Sequence, residues 1–205
     1  MKRTLFRLGL TGSIAMGKST TAQLMREEGV PVHDSDATVA ALYDKGGAGV
    51  KALFAIAPKA VVNGYVDKDI LKSLIAKDPK ILKRIEDAIH PLVSQDRHRF
   101  DQHAQDNFAK IVVYDIPLLF ETKSEDLVDA VLVVTTDAET QRKRAFERSS
   151  MTTLFFEQIL AKQLSDSEKR QRADYIVDTT NGIESAREAI RNILKKIREN
   201  ENCNA

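Results

Sequence analysis

The 205-residue chain is 42% hydrophobic and 30% charged, enough apolar content to bury a core of ordinary globular size. Its 31 basic and 30 acidic residues leave a formal net charge of +1, interspersed along the chain, which argues against a nucleic-acid or membrane surface; no apolar run approaches a membrane span. The single cysteine, Cys203, lies in a polar tail, so neither a disulfide framework nor a thiolate metal site is available, and a reducing cytoplasmic setting is expected.

The start of the chain is basic and then apolar, but Arg7 interrupts the apolar run and no small-residue cleavage site follows. Residues 4–11 are therefore expected to form a buried first strand rather than a signal peptide. Directly after it, Gly12-Ser13-Ile14-Ala15-Met16-Gly17-Lys18-Ser19 matches the Walker A pattern, and a helical period over residues 20–28 follows. Glycines let the backbone curl so that its N–H groups face phosphate oxygens at a helix N-terminus. The expected ATP-binding set is Gly12, Ser13, Ile14, Ala15, Met16, Gly17, Lys18, Ser19 and Thr20. Lys18 would reach the β- and γ-phosphates, and the Ser19 hydroxyl would ligate Mg²⁺.

A second strand is expected over residues 30–34. Asp34 and Asp36 follow at i, i+2 spacing, so in an extended chain both carboxylates would project to one side at the strand's carboxyl end. One could take or orient the proton of an acceptor hydroxyl; alternatively Asp34, Ser35 or Asp36 caps a helix running through Tyr43. Helical periods cover residues 48–57, 70–76 and 81–100, with His90-Pro91 reading as proline in the first position of a helix behind a capping residue.

Residues 110–116 form a third strand candidate whose Asp115 has the look of a Walker B carboxylate holding the Mg²⁺ shell, and the apolar run 116–121 leaves it, its apolar residues either facing a site or simply core. A fourth strand is expected over 130–136, then a helix over 139–148 carrying Arg142, Arg144 and Arg148, the last two one turn apart. The polar segment 149–172, with Arg170 and Arg172, suits a lid that brings guanidinium forks to phosphate and excludes water; a solvated charged face is the plainer reading. A weak fifth strand, 175–178, and a helix over 184–199 complete the chain.

Short β-branched strands alternating with helical periods predict an α/β doubly wound parallel five-stranded sheet. About 75 residues separate the second and third strands, far more than a simple crossover needs. The expected division is a nucleotide-binding core of residues 1–35, 108–148 and 173–205, a helical acceptor-binding insertion over 36–107, and a lid over 149–172.

Taken together, these residues resemble the dephospho-CoA kinase family through Gly182. The resemblance rests on Gly9-Leu10-Thr11-Gly12 leading into the loop, Asp34-Ser35-Asp36-Ala37, Ile89-His90-Pro91-Leu92 and Pro117-Leu118-Leu119-Phe120-Glu121. It continues with Thr140-Gln141 to Arg144 and Arg148, then Gln158 to Gln163, and Ala173-Asp174-Tyr175-Ile176-Val177-Asp178. It implies a P-loop kinase that uses ATP and Mg²⁺ to phosphorylate the ribose 3′-hydroxyl of dephospho-CoA. Asp36 would be the catalytic base and Lys18 and Arg144 catalytic cations. Arg148 would be an ATP ligand, with His90, Pro117, Leu118, Leu119 and Glu121 at the acceptor site. Ser13, Ala15 and Met16 depart from the family's usual Gly, Gly and Ser, Ser35 replaces a common Ala, and Thr179-Thr180 stands where the family often has Asn. The nearest alternative is another P-loop small-molecule or nucleoside-monophosphate kinase. Ser19 after Lys18 speaks against the adenylate-kinase loop, and no guanine-reading Asn-Lys-x-Asp motif supports a nucleotide switch.

Overall fold

The computed structural model describes residues 5–147 and 151–203. In chain order its elements are β1 (Phe6–Gly12), α1 (Lys18–Glu27), β2 (Val32–Asp34), α2 (Ser35–Tyr43), α3 (Ala48–Phe54), β3 (Val61–Val62), β4 (Tyr65–Val66), α4 (Lys68–Lys77) and α5 (Lys80–Asp106). They continue with β5 (Ile111–Asp115), β6 (Ala130–Thr135), α6 (Ala138–Phe146), α7 (Thr153–Leu160), α8 (Asp166–Gln171), β7 (Tyr175–Asp178) and α9 (Ile183–Cys203).

Five strands form one sheet in the order β2-β5-β1-β6-β7, with parallel pairing of β1 to β5, β1 to β6 and β6 to β7. Every residue of β5 and of β6 is buried, which is why these strands read as continuous apolar runs: helices cover both faces of a parallel sheet. Leu8, Leu10, Val113, Leu132 and Val134 meet Met25 of α1 and Ile190, Leu194 and Ile197 of α9 in the main core. The chain leaves β1 toward β2 and leaves β6 toward β7, in opposite directions. The loop after β1 therefore stands at the switch point, where open α/β sheets bind ligands.

The chain divides into two compact units, one of Met1–His33 with Ala104–Ala205 and one of Asp34–His103. The second has its own core of Leu42, Leu53, Ala60, Val66, Leu71, Ile85 and Ile89.

Three local expectations change. Strand β2 starts only at Val32, because the N–H of Val30 closes the end of α1 on the Met25 carbonyl and Pro31 has no N–H to donate. A hairpin, β3 pairing antiparallel with β4, lies between the predicted helices over 48–57 and 70–76. Its turn is Asn63-Gly64 with φ of 50° and 83°, the left-handed pair a two-residue hairpin needs. Pro91 does not start a helix: it lies inside the 27-residue α5, where the missing N–H leaves one intrahelical bond unmade.

Candidate active site

The phosphate-loop candidate links β1 to α1. Gly12 leaves the strand with no room for a side chain, since a Cβ there would lie 2.7 Å from the Val134 carbonyl oxygen. Gly17 adopts φ 96°, and Ala15 adopts φ 61° although it is not glycine, a conformation that costs an L-residue about 1–2 kcal/mol. Tertiary bonds hold this shape. The Met16 N–H donates to the Ser13 carbonyl across the turn at 3.3 Å. Gln163 accepts the Ile14 N–H at 3.1 Å, and Gln141 Nε2 donates to the Ile14 carbonyl at 2.8 Å. Thr179 Oγ1 donates to the Met16 carbonyl at 2.8 Å. No side chain caps α1, so the N–H groups of its first turn remain available to an anion.

Lys18 does not sit exposed in the loop. It is the first residue of α1, its side chain is 18% exposed, and Nζ forms an ion pair with Oδ1 of Asp115, the buried last residue of β5. Ser19 and Thr20 are exposed on the same helical turn. No group of three or more His, Cys, Asp or Glu side chains able to hold a metal exists among the described residues. The donors expected of the Mg²⁺ site, the Ser19 hydroxyl and the Asp115 carboxylate, are hard oxygens at one end of the sheet. They suit a cation that takes one or two protein ligands and completes its shell with phosphate and water.

Arg144, on α6, is half-buried and directed by Thr179: NH1 donates to Thr179 Oγ1 at 2.8 Å and NH2 to the Thr179 carbonyl at 2.9 Å. Three further donors of the guanidinium are left. Arg142 is exposed and stacks over Phe146 at 5.2 Å. Arg148 lies outside the described residues, as do positions 149 and 150 of the expected lid.

The two helices within the lid segment are held unequally. In α7, Phe156 is buried with Ala15 and Ala145 while Leu154 and Phe155 are exposed. By contrast α8 is fastened by charge. Lys169, fully buried, pairs with Glu121 Oε1 at 2.9 Å, and the same carboxylate oxygen accepts the Leu164 N–H at 2.9 Å. Asp166 accepts from the Thr135 hydroxyl at 2.8 Å, and Arg172 pairs with Glu125 and stacks on Phe120 at 4.3 Å. Burial pushes the Glu121 carboxyl up, but the Lys169 ammonium and backbone N–H donors outweigh it and hold it below its ordinary value.

Two of the residues expected at the acceptor site have other partners in this structure. Leu119 is fully buried in a cluster with Phe120, Val131 and Val133, so its side chain is core. Glu121 is committed to Lys169 and Leu164. Pro117, whose carbonyl accepts from the Thr11 hydroxyl at 3.1 Å, and Leu118, which is 40% exposed, remain accessible.

In the helical unit Asp34 is the N-cap of α2 and accepts the Ala37 N–H at 2.9 Å. The i, i+2 argument therefore fails: the chain is already helical at Ser35, and Asp36 projects from the first turn of α2 instead of from a strand. Asp36 and His90 are both exposed. Thr38 Oγ1 donates to Asp96 at 3.1 Å, tying α2 to α5. A cavity of about 590 Å³ is lined by Val50, Phe54 and Val61 with Lys45 and Lys51 at hand. Sequence reasoning passed over Gln141, Gln163 and Thr179 as site residues, although the first two sit in segments quoted for the family resemblance.

The sequence model of the dephospho-CoA kinase family matches residues 6–185. The chain is 51% identical over 194 residues to the dephospho-CoA kinase of Cereibacter sphaeroides, covering 95% of this chain and 96% of the relative. It is 49% identical over 193 residues to that of Ruegeria pomeroyi, covering 94% and 96%. Among solved structures it is similar to TT1252 from Thermus thermophilus, with a TM-score of 0.79, 32% identity and coverage of 94% and 97%. A dephospho-CoA kinase from Campylobacter jejuni shares the fold at a TM-score of 0.62 and 23% identity, over 93% of this chain and 96% of that one.

Proposed function

The chain belongs to the dephospho-CoA kinase family and phosphorylates dephospho-CoA with ATP, and from that premise we propose how its residues divide the work. The observation that carries the proposal is the braced loop with an uncapped helix behind it and the Lys18–Asp115 pair beside it.

ATP binds with its phosphates against the loop from Gly12 to Gly17 and the first turn of α1, Lys18 to Thr20. Lys18 then exchanges Asp115 for the β- and γ-phosphates, whose greater negative charge draws the ammonium away. Ser19 and Asp115 would hold Mg²⁺, which neutralises phosphate charge when bound. Arg144, with two donors committed to Thr179, offers the rest to the phosphoryl group in transfer, a role Arg148 would share. Asp36 orients the 3′-hydroxyl of the acceptor ribose and receives its proton as the bond from that oxygen to the γ-phosphorus forms and the bond to the β-phosphate oxygen breaks.

The helical unit, Asp34–His103, is the acceptor-binding part, with His90 among its acceptor residues; Pro117 and Leu118 are read as acceptor-binding residues as well. The apolar cavity beside Lys45 and Lys51 suits an arm of aliphatic and diphosphate character. Binding energy from that arm would place the hydroxyl in line. Lid motion is confined to the part around α7, because α8 is fastened through Lys169, Asp166 and Arg172. No described helix is long and apolar enough to cross a membrane, and the single cysteine supports a reducing cytoplasmic setting.

The test follows ADP release with dephospho-CoA, adenosine, AMP and shikimate as acceptors and locates the new phosphate by NMR. Dephospho-CoA should be turned over fastest, at its 3′-hydroxyl. Faster turnover of AMP or shikimate, or phosphate at another hydroxyl, would overturn the assignment.

A further inference from the structure

We infer that Gln141 and Thr179 are positioning residues that aim the phosphate-binding N–H groups of Ala15 and Gly17. The inference rests on the loop's reading as an ATP site and concerns side chains that lie outside the Walker A motif.

A trans peptide unit is planar, with its C=O and the following N–H pointing in opposite directions. Gln141 Nε2 holds the Ile14 carbonyl at 2.8 Å, and the Thr179 hydroxyl holds the Met16 carbonyl at 2.8 Å. Each bond fixes one peptide plane, and so fixes the direction of the next N–H, at Ala15 and at Gly17. Neither N–H donates to another residue among those described. The two held carbonyls alternate along the loop with the two available N–H groups. This is how a chain makes an anion nest, with oxygens held outward and hydrogens inward.

The hydroxyl of Thr179 has one proton and two nearby carbonyls, Met16 at 2.8 Å and Thr135 at 3.2 Å. The Thr135 carbonyl already accepts the Thr179 N–H at 2.9 Å, so the proton goes to Met16. Arg144 donates to the same hydroxyl oxygen, and a hydroxyl that accepts from a cation is a stronger donor. Thr179 thus joins the arginine to the loop. Its methyl and hydroxyl also fill the space beside Gly17, where a Cβ would meet Thr179 Oγ1 at 3.1 Å. Both side chains are less than 9% exposed, so water cannot replace either bond readily.

The test measures the Kd of ATP by calorimetry for the parent, Thr179→Val, Thr179→Ser and Gln141→Met, with thermal melts to establish folding and steady-state kinetics alongside. Each lost bond should weaken ATP about five- to tenfold. Thr179→Ser should return to within about twofold of the parent, since it restores the hydroxyl. The KM for dephospho-CoA should not move. Gln141→Met should lose less of kcat than Thr179→Val, because it leaves the Arg144–Thr179 bonds intact. A merely structural role would lower Tm and leave the Kd of the folded protein alone. If Thr179→Val does not fold, Gln141→Met decides. Folded variants that bind ATP as the parent does would overturn the inference while leaving the kinase intact. A parent that binds no ATP would overturn both.

Discussion

The loop after β1 and helix α2 after β2 both carry residues assigned to the reaction, yet they are held in different ways. In the core unit the functional groups are fixed by long-range bonds: Lys18 to Asp115, Arg144 to Thr179, and the loop carbonyls to Gln141 and Thr179. In the helical unit Asp36 and His90 are exposed on the surfaces of their helices, and the cap by Asp34 is local. Preorganised charge belongs where a polyanion must be stabilised, since it then costs no reorganisation during transfer. A carboxylate that meets a hydroxyl must be open to the acceptor and within hydrogen-bond reach once it is bound. The comparison teaches that substitutions in the core unit should damage activity and stability together, whereas those in the helical unit should separate them.

Lys18→Ala should be the most damaging. Loss of charge on the phosphoryl group should lower kcat at least about a hundredfold. The variant should also lose about 1.5–3 kcal/mol in urea melts, because the charged hydrogen bond between Lys18 and the buried Asp115 carboxylate is removed. Full activity would remove the loop from the mechanism, and unchanged stability would break the comparison at its core side.

Lys169→Met comes next, costing about 3–5 kcal/mol by leaving the largely covered Glu121 without its counter-charge, with the neutral Leu164 N–H still donating to it. The double variant with Glu121→Gln should recover most of that loss. The pair should also show in the pH dependence. Glu121 has its folded pKa below the ordinary 4.5, so its stabilisation is present above that value and disappears as pH falls through the lowered one. Parent and double variant should therefore converge in stability as pH falls from the ordinary carboxylate value through the lowered one. A constant gap between pH 7 and pH 3 would contradict the assignment.

On the helical side the effects on stability should be smaller. Asp34→Ala should cost about 1 kcal/mol by removing the α2 cap, with Asp34→Asn restoring it and kcat little changed. His90→Ala should change stability by less than about 0.5 kcal/mol while raising the KM for dephospho-CoA. A large loss of stability in that exposed variant would blur the distinction between the two units.

Much of the core unit was legible in the sequence for physical reasons. Its strands are buried on both faces, so they appear as unbroken apolar runs, and the Walker A residues are adjacent in the chain because a single tight turn makes the site. The Asn63-Gly64 turn was passed over, although Asn-Gly between valine-rich flanks is the standard two-residue hairpin signal, because the flanks are only two residues each. Other features leave no local trace. Gln141 and Thr179 reach the loop from far along the chain, and no periodicity marks a side chain that bonds a distant carbonyl. Lys169 sits in the polar run Ser165 to Arg172 and looks solvated, yet its partner on the loop after β5 makes it fully buried. The run from Ile116 to Glu121 divides between core, at Leu119, and surface, at Leu118, a split that only packing decides.

Asp36→Asn tests the account most directly, by measuring turnover of dephospho-CoA and the Kd of ATP on the same preparation. The account predicts kcat at least about a hundredfold lower, with ATP affinity within about twofold of the parent and an unchanged Tm. Near-normal turnover, or ATP binding weakened as much as kcat, would contradict a carboxylate that acts on the acceptor hydroxyl and leaves the nucleotide alone.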